Sequence, residues 1–195
     1  MPSSDQPQDF NPDMLGRASA LTVISAVKRR WVPLLQVLFF VGTHVPPLLN
    51  TLRKLSFIHY ARWTLFREIP TGGSEGWQRL RNVHLYFESN YNGTWSQYID
   101  AFSYVVPQHI EAIWKSSYDF PGAVPAHGLK QYISDHEYPA EHYYSAYPEA
   151  SATMVVSALE LRRNLDRLRK QARSASAKKF DKAYTRFLTD NQRHL

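Results

Sequence analysis

The sequence contains no cysteine, and this absence removes several classes of protein at once. A disulfide scaffold, a thiolate nucleophile, an iron–sulfur cluster and a zinc site built from cysteines are all excluded. Phosphate-binding loops, dinucleotide fingerprints, nucleophile elbows and zinc-protease helix motifs are absent as well, so no enzyme class is indicated. The lack of cysteine is compatible with the cytoplasm, where thiols stay reduced, and we expect a cytoplasmic protein.

Basic charge is scarce outside the C-terminal part of the chain. The 195 residues carry a net charge of +6, but residues 160–195 hold 11 Lys and Arg against 4 Asp and Glu. The other 159 residues hold 12 against 13 and are therefore nearly neutral. Because no nucleic-acid-binding motif accompanies this charge, nucleic acid is not an expected partner. The basic tail is interpreted either as a solvated helix face or as a surface for anionic lipid.

The N-terminal part is polar first and then very apolar. Residues 1–16 are predicted to be a disordered leader, since their start is acidic where a signal peptide would be basic. Residues 17–54 are predicted to be an apolar and amphipathic helical segment, because Leu21, Ile24 and Val27 recur at helical spacing. Three interpretations fit its apolar centre. The first is a segment that crosses a membrane, the second a segment that lies at an anionic membrane surface, and the third a segment that packs on its own domain or on a partner. We favour the third.

Residues 55–148 are predicted to form an α+β core domain, followed by a helical basic tail over residues 149–195. Two runs with alternating polarity predict an antiparallel hairpin with strands at 55–66 and 82–90. A capping box of Thr94 and Gln97 predicts the start of a helix that Pro107 should kink. Further elements are expected in the order of a helix at 127–136, a strand at 140–147 and helices at 150–173 and 176–190. The predicted fold class is α+β, with a small antiparallel ferredoxin-like sheet covered by helices.

Three segments of this core carry a resemblance to a known family: FIHYARW, LYFESNYNGTWSQYIDAF and HYYSAYP. They resemble an uncharacterised bacterial family associated with dimeric ferredoxin-like α+β barrels. The resemblance covers residues 56–148 and implies a homodimer whose sheets face each other. Relatives of this barrel class include haem-binding enzymes such as dye-decolourising peroxidases and chlorite dismutases, but none of their motifs can be placed on this chain.

Candidate ligand-binding residues lie on the two predicted hairpin strands. His59 is expected on an otherwise apolar face, where an imidazole can act as a haem ligand or a general base. The other candidates, Arg62, His84, Tyr86 and Glu88, alternate along the strands and share polar faces. The same alternation is typical of a solvated sheet face, and an imidazole on an apolar face is more often a buried structural histidine.

A metal site is not predicted. His136, Glu137, Glu141 and His142 lie close together in sequence, but their spacing matches no strong ligand pattern and Pro139 interrupts a helix there. The leading hypothesis is therefore a protein that binds a small apolar ligand or haem, at or near a membrane surface. The alternatives are an oxidoreductase that handles peroxide in the same pocket, and a structural protein that docks on a membrane or a partner.

Overall fold

The computed structural model describes residues 14–15, 17–45, 55–72, 76–173 and 175–194. It has an α+β fold, as the sequence predicts, and divides into two compact units, of which one ends at Glu149 and the other begins at Ala150. The elements of the first unit are β1 (Met14–Leu15), β2 (Ala18–Val27), α1 (Val32–His44), β3 (Ile58–Pro70), β4 (Trp77–Asn92), α2 (Trp95–Val105), α3 (Pro107–Trp114) and α4 (Ala126–His136). The second unit contains α5 (Ala152–Ala172) and α6 (Ala177–Asp190).

The sheet is antiparallel throughout and has the strand order β1-β2-β4-β3. Strands β2 and β3 therefore run parallel to each other with β4 between them, and α1 makes the connection. This is the split β-α-β arrangement of ferredoxin-like sheets. On the other edge of β2, isolated bridges pair Val23 with Glu137 and Val27 with Ser117, where a regular ferredoxin-like sheet has its fourth strand.

The prediction of a helix over the first part of 17–54 is wrong, because β2 occupies residues 18–27. Its side chains alternate, with Leu21, Val23, Ser25 and Val27 buried and their neighbours half-buried. This period of two and the β-branched residues favour a strand. The predicted disordered leader over residues 1–16 is also too long, since Met14 and Leu15 form β1. The helical prediction is correct for α1, and residues 46–54 lie outside the described part.

The β3–β4 hairpin is longer than predicted. Strand β4 pairs with β2 only from Val83 onward, so the distal part of the hairpin extends beyond the sheet. Trp77 at its end is 67% exposed. The expected strand at 140–147 does not form, and these residues run as irregular chain.

The helices of the first unit cover one face of the sheet and enclose an aromatic core. Phe87 makes edge-to-face contacts with Trp114 at 5.1 Å between ring centroids, and Tyr91 stacks on Tyr98 at 3.9 Å. Burial raises the pKa of Tyr98 well above its usual range. The structure confirms the predicted capping box at the start of α2. At Pro107 the helix ends and a new one begins, so the expected kink is a complete break between α2 and α3.

The second unit is a helical hairpin held at its end by a polar network. Asn191 is buried, accepts a hydrogen bond of 2.7 Å from Asn164 Nδ2 and donates one of 2.7 Å to the Phe187 carbonyl oxygen. Close by, His194 contacts Ser157 Oγ through Nδ1 at 3.0 Å and Glu160 Oε2 through Nε2 at 3.2 Å. These contacts fasten the end of the described chain onto α5.

Candidate functional site

The outward face of the sheet brings three of the five predicted site residues together. Arg62 and Glu88 are direct cross-strand partners on β3 and β4, and their side chains meet at 2.8 Å. Tyr86 donates a hydrogen bond of 3.1 Å to the same carboxylate oxygen, and Tyr60 donates one of 2.5 Å to the other. Tyr60 thus completes a group of four that we call the Glu88 cluster: Tyr60, Arg62, Tyr86 and Glu88.

The charged and polar groups of the Glu88 cluster pair with one another. The Arg62 guanidinium lies 5.4 Å from the centroid of the Tyr86 ring, a cation–π distance, in addition to its ion pair. Burial, followed by the hydrogen bond to Glu88, raises the pKa of Tyr60 from 10.0 to about 12. Because the Glu88 carboxylate already accepts three hydrogen bonds, the cluster is well suited to join β3 to β4. It offers a ligand mainly the exposed side of Arg62.

His84 lies on the same outward face but belongs to a different contact. Its ring stacks on Phe66, its cross-strand partner, with centroids 5.5 Å apart and planes inclined by 25°. The His84 Nδ1 atom is buried and has no hydrogen-bond partner among the described residues. His84 therefore takes part in an aromatic pair beside the Glu88 cluster.

His59 does not occupy the position that the sequence predicts. Ile58 pairs with Tyr91 and Tyr60 pairs with Asn90, so His59 is the additional residue of a β-bulge. A bulge shifts the alternation of side chains by one position. Phe57 and Ile58 consequently both pack against the core, and His59 is exposed. An exposed imidazole without apolar walls does not fit the role of an axial haem ligand, and we derive no haem chemistry from it.

The inward face of β3 borders a cavity of about 520 Å³, which the sequence patterns above do not predict. Four elements line it: α1, β3, α2 and α3. Its walls are largely apolar, and the lining residues are Leu38, Phe39, Gly42, Thr43, Trp63, Phe102, Gln108, His109, Ile110, Ala112 and Ile113. Gln108, Ala112 and Thr43 are exposed, so the cavity opens to the surface between α1 and α3. We call it the α1–α3 cavity.

The polar groups of the α1–α3 cavity are few. Thr43 donates its hydroxyl hydrogen to the Phe39 carbonyl oxygen at 2.8 Å, while Gln108 and His109 add an amide and an imidazole. The Trp63 indole is held by Phe87 at 5.2 Å between ring centroids. Its Nε1 atom is buried and has no hydrogen-bond partner among the described residues. A buried indole N–H is normally bonded, but this donor is shielded from the open space of the cavity, so Trp63 contributes its ring rather than its N–H to the wall.

One feature of the sequence pointed to this cavity, although only indirectly. Helix α1 has apolar side chains on two opposite sides, with Leu35, Leu38 and Phe39 turned inward and Leu34, Val37 and Phe40 exposed. A helix of this kind has more apolar surface than its own core can cover. The three other walls come from residues far apart in the chain, and their packing against α1 is not readable from any local pattern.

Two of the four residues considered as metal ligands are engaged in other contacts. Glu137 accepts a hydrogen bond of 2.8 Å from Trp95 Nε1, and the His136 Nδ1 atom lies 2.8 Å from the Tyr132 carbonyl oxygen. Within the described ranges, no group of three or more His, Asp or Glu side chains is arranged to hold a metal ion. None of the described helices combines the length and the apolar character needed to cross a membrane.

Comparison with known proteins gives no match to a family model, to a curated protein or to a solved structure. The resemblance to the dimeric ferredoxin-like barrels therefore stays a prediction from the sequence.

Proposed function

We propose that this protein binds a small apolar ligand in the α1–α3 cavity. The observation that carries the proposal is the cavity itself, with its volume of about 520 Å³ and its apolar walls. Ligand sites in proteins are typically clefts of about 300–1,000 Å³ with mostly apolar walls and a few polar groups that orient the ligand. Thr43, Gln108 and His109 are the polar side chains among the described lining residues that can orient a ligand here.

The residues that line the cavity indicate the chemical class of the ligand. Leu38, Phe39, Ile110 and Ile113 offer flat and branched apolar surfaces from two facing helices. The polar side chains that line the cavity are an amide, a hydroxyl and an imidazole, and no carboxylate from the described part of the chain contributes to the lining. The cavity therefore suits an aromatic or aliphatic molecule that is neutral or carries a polar acceptor, and it disfavours a cation.

A fluorescence titration tests the proposal. N-phenyl-1-naphthylamine is neutral and apolar, and its emission increases on leaving water, so binding to the full chain is expected to saturate at one molecule per chain. Trp63→Phe keeps the aromatic wall and removes the N–H donor. It should leave binding of this probe within about twofold, because a probe without an oxygen acceptor gains little from that donor. An unsaturable signal that grows in proportion to the probe would reject the proposal.

We also propose that the protein associates peripherally with a membrane. The support is the outward face of α1, where large apolar side chains are more than half exposed in a helix of 13 residues. Exposed apolar surface of this kind usually marks an interaction site. A location at a membrane would bring the α1–α3 cavity close to a store of apolar ligands.

A further inference from the structure

Helix α1 carries a continuous apolar stripe on the side turned away from the α1–α3 cavity. Leu34 is 54% exposed, Val37 57% and Phe40 63%. These positions follow one another at helical spacing of three and therefore lie along one side of the helix. The helix contains no Asp, Glu, Lys or Arg, so no charged group of its own interrupts the stripe.

The chain around this stripe is free of acidic residues. Between Met14 and Arg67 the sequence contains no Asp or Glu at all. Three basic residues, Lys28, Arg29 and Arg30, directly precede α1, and both arginines are exposed. The half-buried Trp31 stands between the basic residues and the apolar stripe, as tryptophan does at membrane interfaces. Apolar surface and positive charge thus lie side by side in one short segment.

We infer that this segment, which we call the α1 docking face, binds the surface of an anionic phospholipid bilayer. The docking face consists of Arg29, Arg30, Leu34, Val37 and Phe40. The inference rests on the peripheral membrane location proposed above and adds the surface and the class of lipid. The helix enters the boundary between headgroups and acyl chains with its apolar stripe, while the arginines contact lipid phosphates and carboxylates.

The length of α1 supports a position along the membrane surface. Thirteen residues form a helix of about 20 Å, which is shorter than the hydrocarbon core of about 30 Å. The acid-free stretch removes the repulsion that Asp or Glu side chains would meet at an anionic surface. Since the opposite side of α1 lines the α1–α3 cavity, binding at the membrane places the cavity within one helix diameter of the bilayer.

Sedimentation with sucrose-loaded vesicles tests the inference on the full chain. One set of vesicles is pure phosphatidylcholine, and the other contains phosphatidylcholine and phosphatidylserine in a ratio of three to one. We expect strong binding to the anionic vesicles only. Replacing Val37 and Phe40 by Ser should weaken it on the order of tenfold or more, because two side chains no longer enter the bilayer. Arg29→Gln with Arg30→Gln should weaken it roughly 30-fold.

Matched variants in the second unit control for apolar surface and for net charge. Val156 is 61% exposed on α5 and Phe180 is 38% exposed on α6, so Val156→Ser with Phe180→Ser removes the same two kinds of side chain from other helices and should leave binding unchanged. Lys178→Gln with Lys179→Gln removes two charges from α6 and should have a smaller effect than the arginine pair. If the control variants lose as much binding as the α1 variants, the docking face is not α1 and the inference is overturned.

The two proposals fail in different ways. Absence of binding to either kind of vesicle would overturn both the membrane location and the docking face. Equal binding to neutral and anionic vesicles, abolished by the Val37 and Phe40 replacements, would keep the membrane location and overturn the requirement for anionic lipid. All the replaced side chains are exposed, so the variants should fold like the wild type. Circular dichroism of each variant verifies this.

Discussion

Tyr60 donates a hydrogen bond of 2.5 Å to Glu88 Oε1, although the two residues are not direct partners in the β3–β4 ladder. Tyr60 pairs with Asn90, and Glu88 pairs with Arg62, so the hydrogen bond crosses the ladder diagonally. Long side chains on one face of a sheet reach such diagonal neighbours. The contact fixes the register immediately next to the bulge at His59.

Glu88→Gln should lower the pKa of Tyr60 toward its usual 10.0. Burial is the main reason that this pKa is about 12, followed by the hydrogen bond and the charge of Glu88, so the decrease will be partial. The measurement is the ultraviolet absorption of tyrosinate during a pH titration, with Tyr60→Phe as the control that identifies the signal. A Tyr60 pKa that is unchanged in the Glu88→Gln protein would contradict the contact.

The raised pKa of Tyr60 predicts how the free energy of unfolding changes at alkaline pH. The folded protein holds the Tyr60 proton more tightly than the unfolded chain, so this group stabilises the fold fully below pH 10. Its contribution is lost as the pH rises from 10 to about 12. Tyr60→Phe should therefore show a smaller loss of unfolding free energy over this range than the wild type.

His59→Ala should change neither stability nor ligand binding. His59 is exposed in the bulge and is not among the residues that line the α1–α3 cavity. Exposed substitutions without special backbone strain usually alter the unfolding free energy by no more than about 0.5 kcal/mol. Chemical denaturation and the naphthylamine titration give the two readings. A loss of binding in this variant would restore His59 as a site residue.

Much of the fold was predictable because local patterns determine it. Val83, Leu85 and Phe87 alternate with polar residues along β4, and Thr94 with Gln97 marks the start of α2, so the hairpin and the helix follow from the sequence. The sequence does not predict strand β2, because the apolar residues Ala20 and Ile24 occupy outward positions. With apolar residues on both faces the alternation is weak, and the same residues also fit the spacing of a helix.

The site was harder to predict than the fold. Arg62, Tyr86 and Glu88 meet because simple alternation holds on both strands around their pairing position. It fails at His59, where one extra residue shifts the parity of the strand. The α1–α3 cavity combines Gly42, Trp63 and Ile113 from separate elements, and only tertiary packing brings them together.

Asn191→Ala should destabilise the helical hairpin of the second unit by about 2 kcal/mol, because it removes two buried hydrogen bonds and leaves the Asn164 amide with one partner fewer. Hydrogen exchange of the α5 and α6 amides measures this locally. Gln192→Ala replaces the exposed neighbour and should have little effect. Equal protection factors in the two variants would show that the Asn191 network does not hold the hairpin.

The most direct test of the ligand cavity uses Gly42, which lines it on α1. A Cβ atom placed at Gly42 meets nothing within 4 Å, so a side chain can start from this position on the cavity wall without a clash at its first atom. Gly42→Leu fills part of the cavity, whereas Gly42→Ala adds a single methyl group. Both replacements should stabilise α1 by up to about 1 kcal/mol, since glycine is a poor helix former.

The deciding measurement is therefore the affinity of N-phenyl-1-naphthylamine for the wild type, Gly42→Ala and Gly42→Leu, with thermal unfolding of each protein recorded in parallel. We predict that Gly42→Ala binds the probe within about threefold of the wild type and that Gly42→Leu binds it at least tenfold more weakly while remaining as stable, because a branched side chain of four carbons occupies the binding space. Equal affinity of all three proteins for the probe would show that the ligand does not enter the α1–α3 cavity.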